Sequence, residues 1–218
     1  LKLIEQERPT IVCGTPAQLA MLAPKLNHAD TSSVRIWYTA GSVLPPTLAE
    51  ELESATQGIV LSTYGGADFG GWSAAEPSDP PVVRHTTVGK PRGGTELRIV
   101  DREDREVPPG EVGELIGRGP CCVSGYIGTQ GRESWKAGWF HTGDLAWIDQ
   151  SGRVVIVGRL KEVIVRGGDK VSPADVETVL RAYPGIEQVA IIGVADAMLG
   201  ERVCACVVPT CWTQVPSL

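Results

Sequence analysis

Val34-Arg35-Ile36-Trp37-Tyr38, then Pro46 through Ser54, then Gly58-Ile59-Val60-Leu61-Ser62 is the stretch on which the fold turns. The outer segments are rich in β-branched and aromatic residues and read as strands, while Pro46 suits the first turn of a helix between them. Strand, helix and strand in so short a span predict a βαβ unit, and hence an α/β fold with a parallel sheet. Ligands of such sheets bind beyond the carboxyl ends of the strands. Directly after Leu61 the chain runs Ser62-Thr63-Tyr64-Gly65-Gly66-Ala67-Asp68-Phe69-Gly70-Gly71. Adjacent glycines let a backbone approach phosphate, an aromatic ring can stack on a base, and an acidic side chain can hold Mg²⁺. A tight turn with a packed tyrosine accounts for the same residues.

Outward from this unit the pattern changes. Upstream, Thr15 is placed to cap a helix opened by Pro16 and ended at Pro24. From about Pro77 to Arg159, short segments alternate with Gly and Pro turns: Glu96–Val100, Val112–Ile116 and Arg153–Val157, predicting a β-rich subdomain. Beyond Arg159 a strand over Glu162–Arg166 and a Gly167-Gly168-Asp169 turn precede a helix with Ser172 as N-cap and Pro173 in its first turn. Val176, Val179, Leu180 and Tyr183 fall at the spacing of one buried helix face. Two further strands, Gln188–Val194 and Val203–Val208, give the start of a small α+β unit.

Composition bounds the function. The 218 residues carry 26 acidic and 20 basic side chains, a net charge of −6, which argues against a dedicated nucleic-acid binder. At 42% hydrophobic and 21% charged the chain is globular in composition, with room for one or two domains. No apolar run approaches the roughly 20 residues of a membrane helix, and the N-terminus lacks a signal-peptide core, so a cytoplasmic protein without a membrane partner is expected. Leu1 in place of Met and the unpunctuated end Cys211–Leu218 read as cut ends, and a fragment is expected. Six irregularly spaced cysteines read as free thiols, with Cys204 and Cys206 on one strand face and Cys121-Cys122 a doublet. Neither pair has zinc-site spacing. The three histidines, His28, His85 and His141, form no catalytic pattern, and no GxSxG elbow supports hydrolysis.

Three other motifs stay open when read alone. Trp139-Phe140-His141-Thr142-Gly143-Asp144 offers a carboxylate able to accept both ribose hydroxyls, or an acidic hairpin turn. Arg159, in Gly158-Arg159-Leu160-Lys161-Glu162, suits bidentate phosphate or ribose binding, or a solvated linker. Arg166-Gly167-Gly168-Asp169-Lys170 suits a phosphorylated ligand, or an ordinary hairpin.

Together, in order, these segments resemble the superfamily of AMP-forming acyl-CoA synthetases, aryl-acid ligases and peptide-synthetase adenylation domains. Thr39-Ala40-Gly41-Ser42-Val43-Leu44 resembles its adenine-side loop, Tyr64-Gly65-Gly66-Ala67-Asp68 its YGxTE block, and Gly113-Glu114-Leu115-Ile116-Gly117 through Gly125-Tyr126 its GELxxxG…GY block. Gly138 through Asp144 resembles GWFxTGD, and Gly158 through Gly168 with Ser172 through Glu177 resembles the hinge and first helix of the mobile C-terminal domain. The resemblance implies a large-domain piece over residues 1–159 and the opening of the mobile domain over 160–218. It implies an ATP- and Mg²⁺-dependent ligase that turns a fatty or aromatic carboxylic acid into an acyl-adenylate, then into a thioester with coenzyme A or a carrier protein. Tyr64 would stack on adenine with Gly41 and Gly65 lining its pocket, Asp68 would face Mg²⁺, Asp144 would bind the ribose diol and Arg159 ribose or phosphate. Lys161 would be the hinge, and Gly167 and Gly168 would meet the pantetheine arm.

Two departures stand out. Ala67 replaces the usual Thr, as in some aryl-acid ligases, which favours an aromatic or cyclic acid, and Asp68 is one methylene shorter than the usual Glu. No Ser/Thr/Gly-rich loop ending in Lys-Gly occurs in the 218 residues, and the position of the family's adenylation lysine is not reached, so the chain as given is expected to be inactive.

Overall fold

In a computed structural model of the chain, the described residues are 1–127, 131, 134–196 and 198–211. The terminal run Trp212–Leu218, part of the unpunctuated end, lies outside them. The described residues fall into two compact units, Leu1–Thr142 with Ala146–Ile156, and Gly143–Leu145 with the chain from Val157 onward.

In the first unit, strands β1 (Ile11–Gly14), β2 (Ile36–Thr39) and β3 (Ile59–Gly66) are parallel, and β4 (Gly70–Ala74) and β5 (Lys90–Pro91) extend the sheet antiparallel in the order β1-β2-β3-β4-β5. The crossover from β2 to β3 is α3 (Pro46–Ala55), as the βαβ reading requires, with Ile36 beside Ile59 and Thr39 beside Ser62. Its Leu48, Ala49 and Leu52 bury against Trp37, Val60 and Leu19 in one apolar cluster. Helices α1 (Lys2–Glu7) and α2 (Pro16–Leu22) flank the same core through Ile4 and Leu19. Pro24 does not stop α2 outright: the chain tightens into a 3₁₀ helix over Ala23–His28, where the missing proline N–H is tolerated in the first turn.

Thr15 caps α2 as expected, and Gln18 completes a capping box: the Gln18 N–H donates to Thr15 Oγ1 at 3.3 Å, and the Thr15 N–H to Gln18 Oε1 at 2.9 Å. Thr15→Ala is expected to cost about 1 kcal/mol of stability in a urea titration, with m unchanged.

A second sheet runs in the order β10-β9-β7-β6, from β6 (Glu96–Val100), β7 (Gly113–Arg118), β9 (Trp139–Ile148) and β10 (Val154–Arg159), with β8 (Trp135–Lys136) paired to β9. Its core joins Leu115, Phe140, Ala146 and Val154 to Tyr64, Phe69 and Trp72. A short helix, α4 (Pro81–Thr86), packs beside α3 and places Arg84 and His85 in the interior.

The second unit is a sheet in the order β12-β11-β14-β13, built from β11 (Ile164–Arg166), β12 (Asp169–Val171), β13 (Ile186–Asp196) and β14 (Gly200–Pro209), with α5 (Pro173–Arg181) on one face. Ser172 accepts the Asp175 N–H at 3.4 Å, as its N-cap position predicts. The apolar face of α5 is only partly buried and narrower than expected. Val176 and Leu180 pack on Ile164, Val189 and Ile191, whereas Val179 is 71% exposed. With only one sheet beneath it, α5 needs no more than an i, i+4 stripe.

Candidate functional site

The carboxyl ends of β1, β2 and β3 form one edge of the first unit, and four of the residues singled out in the sequence sit there. Gly41, exposed and two residues past the end of β2, has φ +94°, a left-handed conformation that favours glycine. Tyr64 and Gly65 lie inside β3, not in a turn: Tyr64 pairs with Ser73 and Gly65 with Gly71. The turn is Ala67-Asp68-Phe69. A Cβ at Gly65 would run into the Gly70 carbonyl oxygen, so the glycine is required by the close approach of β4. Tyr64 is 9% exposed, its ring 5.5 Å from Phe69 in a cluster with Trp72 and Phe140.

Asp68 is half-buried, and its backbone carbonyl accepts from the Val123 N–H at 2.8 Å, which ties the turn to the segment after β7. Burial, and then the charge of Asp68, push the neighbouring Cys122 thiol up from its ordinary value. A single accessible carboxylate fits Mg²⁺, which is commonly bound by one or two carboxylates together with substrate phosphates.

The GWF block has a structural explanation. Phe140 is core, while the Trp139 ring is met by two guanidinium groups, Arg98 at 4.4 Å and Arg118 at 4.5 Å from its centre. His141, dismissed from the sequence, has Nδ1 2.9 Å from Glu114 Oε2, and Thr142 Oγ1 donates to the Leu115 carbonyl at 2.7 Å, so two of the blocks are fastened to each other. These partners are 27 residues apart, and no local spacing reveals them.

In the second unit the structure brings Asp144 and Arg159 together. Asp144 lies in β9 directly after Gly143, which has a positive φ of +72° within the continuous strand, and not in a hairpin turn. Arg159 Nε is 3.1 Å from Asp144 Oδ1, with the carboxylate side chain 14% exposed and the guanidinium 64%. A carboxylate held on a strand with an adjacent guanidinium presents two acceptor oxygens and a flexible cation, the chemistry a ribose phosphate needs. Lys161 is exposed in a 3₁₀ turn over Leu160–Glu162. Gly167 and Gly168 are the central residues of a two-residue hairpin between Arg166 and Asp169, both at positive φ (60° and 101°), as the tightest hairpin turns require. Among the described residues there is no group of three or more side chains able to hold a metal, and no helix long and apolar enough to cross a membrane.

The model of the AMP-binding enzyme matches residues 1–127, and that of the AMP-binding enzyme C-terminal domain matches 175–215. The chain belongs to the AMP-binding enzyme family. It is 36% identical over 213 residues to a feruloyl-CoA synthase of an Amycolatopsis species, covering 96% of this chain and 43% of that protein. It is 35% identical over 214 residues to the medium-chain fatty-acid–CoA ligase of Escherichia coli K12, covering 95% and 38%. The fold matches the anthranilate CoA ligase AuaEII solved with anthranoyl-AMP, with a TM-score of 0.85 at 29% identity over 98% of this chain and 42% of that one. The chain thus spans about two fifths of the length of these relatives. The α/β fold expected from the βαβ stretch is that of adenylate-forming enzymes.

Proposed function

We propose that the parent of this chain is an AMP-forming acyl- or aryl-CoA ligase. The observation that carries the reading is the Asp144–Arg159 pair, 3.1 Å apart, formed by the GWFxTGD-like block and the hinge-like segment. In the first step a carboxylate oxygen bonds to the α-phosphorus of ATP and the bond to pyrophosphate breaks. In the second, the thiol sulfur of coenzyme A bonds to the acyl carbon, losing its proton, and AMP departs. The protein's part is positioning and charge neutralisation.

In this reading Asp144 accepts the ribose hydroxyls and Arg159 turns from Asp144 to ribose or phosphate. Gly41, Tyr64 and Gly65 bound the adenine end, and Asp68 faces Mg²⁺, which neutralises phosphate charge when bound. Residues 1–159 belong to the large domain and 160–218 to the mobile one, with Lys161 at the hinge and Gly167-Gly168 toward the pantetheine arm. Coenzyme A is favoured over a carrier protein by the Arg166-to-Pro173 segment, which looks like the CoA-ligase form of this loop. Ala67 favours an aromatic or cyclic acid, and the setting is cytoplasmic. The 218 residues alone do not turn over, since no Lys-Gly phosphate loop is among them.

Full-length protein should catalyse exchange of labelled pyrophosphate into ATP dependent on a carboxylic acid, and should then form a thioester with coenzyme A. Thioester on a phosphopantetheinylated carrier alone would make it an adenylation domain, and exchange with no acid in a broad panel would sink the proposal.

A further inference from the structure

Away from the strand ends, an open groove of about 460 Å³ lies between α3 and α4, within the size range of small-molecule sites. The proposed ligase chemistry makes no use of it. Pro46 and Val82 supply apolar walls, and Val82 is 66% exposed. The polar lining has a single character. The Ser54 hydroxyl donates to the Glu51 carbonyl at 2.9 Å and the Thr86 hydroxyl to the Val82 carbonyl at 2.6 Å, so both protons are committed to the helices and oxygen lone pairs are left. Glu50, exposed on α3 and three residues before Glu53, adds a carboxylate. Among the described residues that line the groove there is no lysine or arginine.

Glu53 is the deeper group. Its side chain is 19% exposed, and Arg84, the Val60 N–H and His85 all converge on one oxygen, Oε1, leaving Oε2 without a partner among the described residues. His85, 6% exposed in the same wall, is also incompletely bonded: its Nε2 is 3.2 Å from Oε1 but makes no aligned hydrogen bond. Buried polar groups are normally satisfied by protein, water or ligand. Here a carboxylate oxygen and an imidazole are both left short of partners beside a groove that is open to solvent.

We infer that this groove is a binding site for a primary alkylammonium ion, the cationic end of a small free aliphatic amine. An ammonium carries three donors and no acceptor, which matches a lining that offers acceptors. Its bonds to Glu53 Oε2 and to the Glu50 carboxylate are charge-assisted, and its alkyl stem lies along Pro46 and Val82. A neutral alcohol of the same length lacks the charge, and a trimethylammonium lacks the N–H donors. The inference is independent of the ligase reading.

Isothermal titration of the full-length protein at low salt with n-pentylamine, n-pentanol and pentyltrimethylammonium tests it. Pentylamine should bind once per chain with a Kd on the order of 1 mM, and the other two at least about tenfold more weakly. Glu50→Gln removes charge at an exposed position and should weaken pentylamine about tenfold with Tm unchanged. Val82→Lys brings a tethered ammonium to the groove and should abolish binding. A lysine capped at both backbone ends separates a free amine from a protein side chain: it should bind more weakly than pentylamine, and tighter binding would overturn the free-amine assignment. Absence of pentylamine binding, equal binding of the trimethylammonium, or unchanged affinity in Glu50→Gln would each overturn the site itself.

Discussion

Asp144→Ala in the full-length protein is expected to lower kcat/KM for ATP by about 10²–10⁴-fold while leaving the fold intact. The magnitude comes from two hydrogen bonds between a charged carboxylate and the ribose hydroxyls, each worth about 1.5–3 kcal/mol. The ion pair to Arg159, whose side chain is 64% exposed, contributes at most about 1 kcal/mol, so its loss does not unfold the protein. Asp144→Asn keeps an acceptor oxygen and should fall between the two. Steady-state kinetics at varied ATP, with a melting curve on each variant, separates a lost ribose contact from a damaged strand. Equal loss of kcat/KM and of Tm would assign Asp144 a structural role.

Glu53→Ala should be the most destabilising of the substitutions considered, by about 3–5 kcal/mol, because it strands a buried cation. Glu53 Oε1 lies 2.7 Å from Arg84 Nη2, accepts the Val60 N–H at 2.8 Å, and is 3.2 Å from His85 Nε2; the Arg84 and His85 side chains are only 7% and 6% exposed. The carboxylate therefore joins α3, α4 and β3, the elements that frame the parallel strands. Burial alone would raise its pKa, but the Arg84 hydrogen bond, the Val60 N–H and His85 together bring it below the ordinary value.

This depressed pKa gives the pH dependence its sign. A carboxylate with a depressed folded pKa binds protons more readily when unfolded, so its contribution is complete above the unfolded value, about pH 4.3, and is lost as pH falls through the lower folded value. Urea titrations between pH 7 and pH 3 should show the unmodified protein losing stability on acidification and Glu53→Gln losing distinctly less. Parallel pH profiles for the two would contradict the assignment.

What could be read in advance, and what could not, divides along physical lines. The β2–α3–β3 unit was legible because its signals are local: β-branched runs, a proline at the helix start and a short connection. The ends of β6 and the cap of α5 were legible for the same reason. Helices α1 and α4, at six residues each, are too short to show a period and are held by packing rather than propensity. Strand β9 was hidden because its ten residues alternate poorly and the glycine at its centre, Gly143, is a weak strand former.

The site divides in the same way. Tyr64, Asp68, Asp144 and Arg159 could be named from motif order, but that Asp144 meets Arg159, or that Glu114 meets His141, depends on strand pairing between distant segments.

The proposal most open to direct test is that the Asp144 carboxylate holds the nucleotide ribose. An experimental structure of the full-length protein with a non-hydrolysable acyl-sulfamoyl-adenosine tests it most directly. Both ribose hydroxyls are expected within hydrogen-bond distance of the Asp144 carboxylate. A ribose held elsewhere, with Asp144 still paired to Arg159, would contradict it.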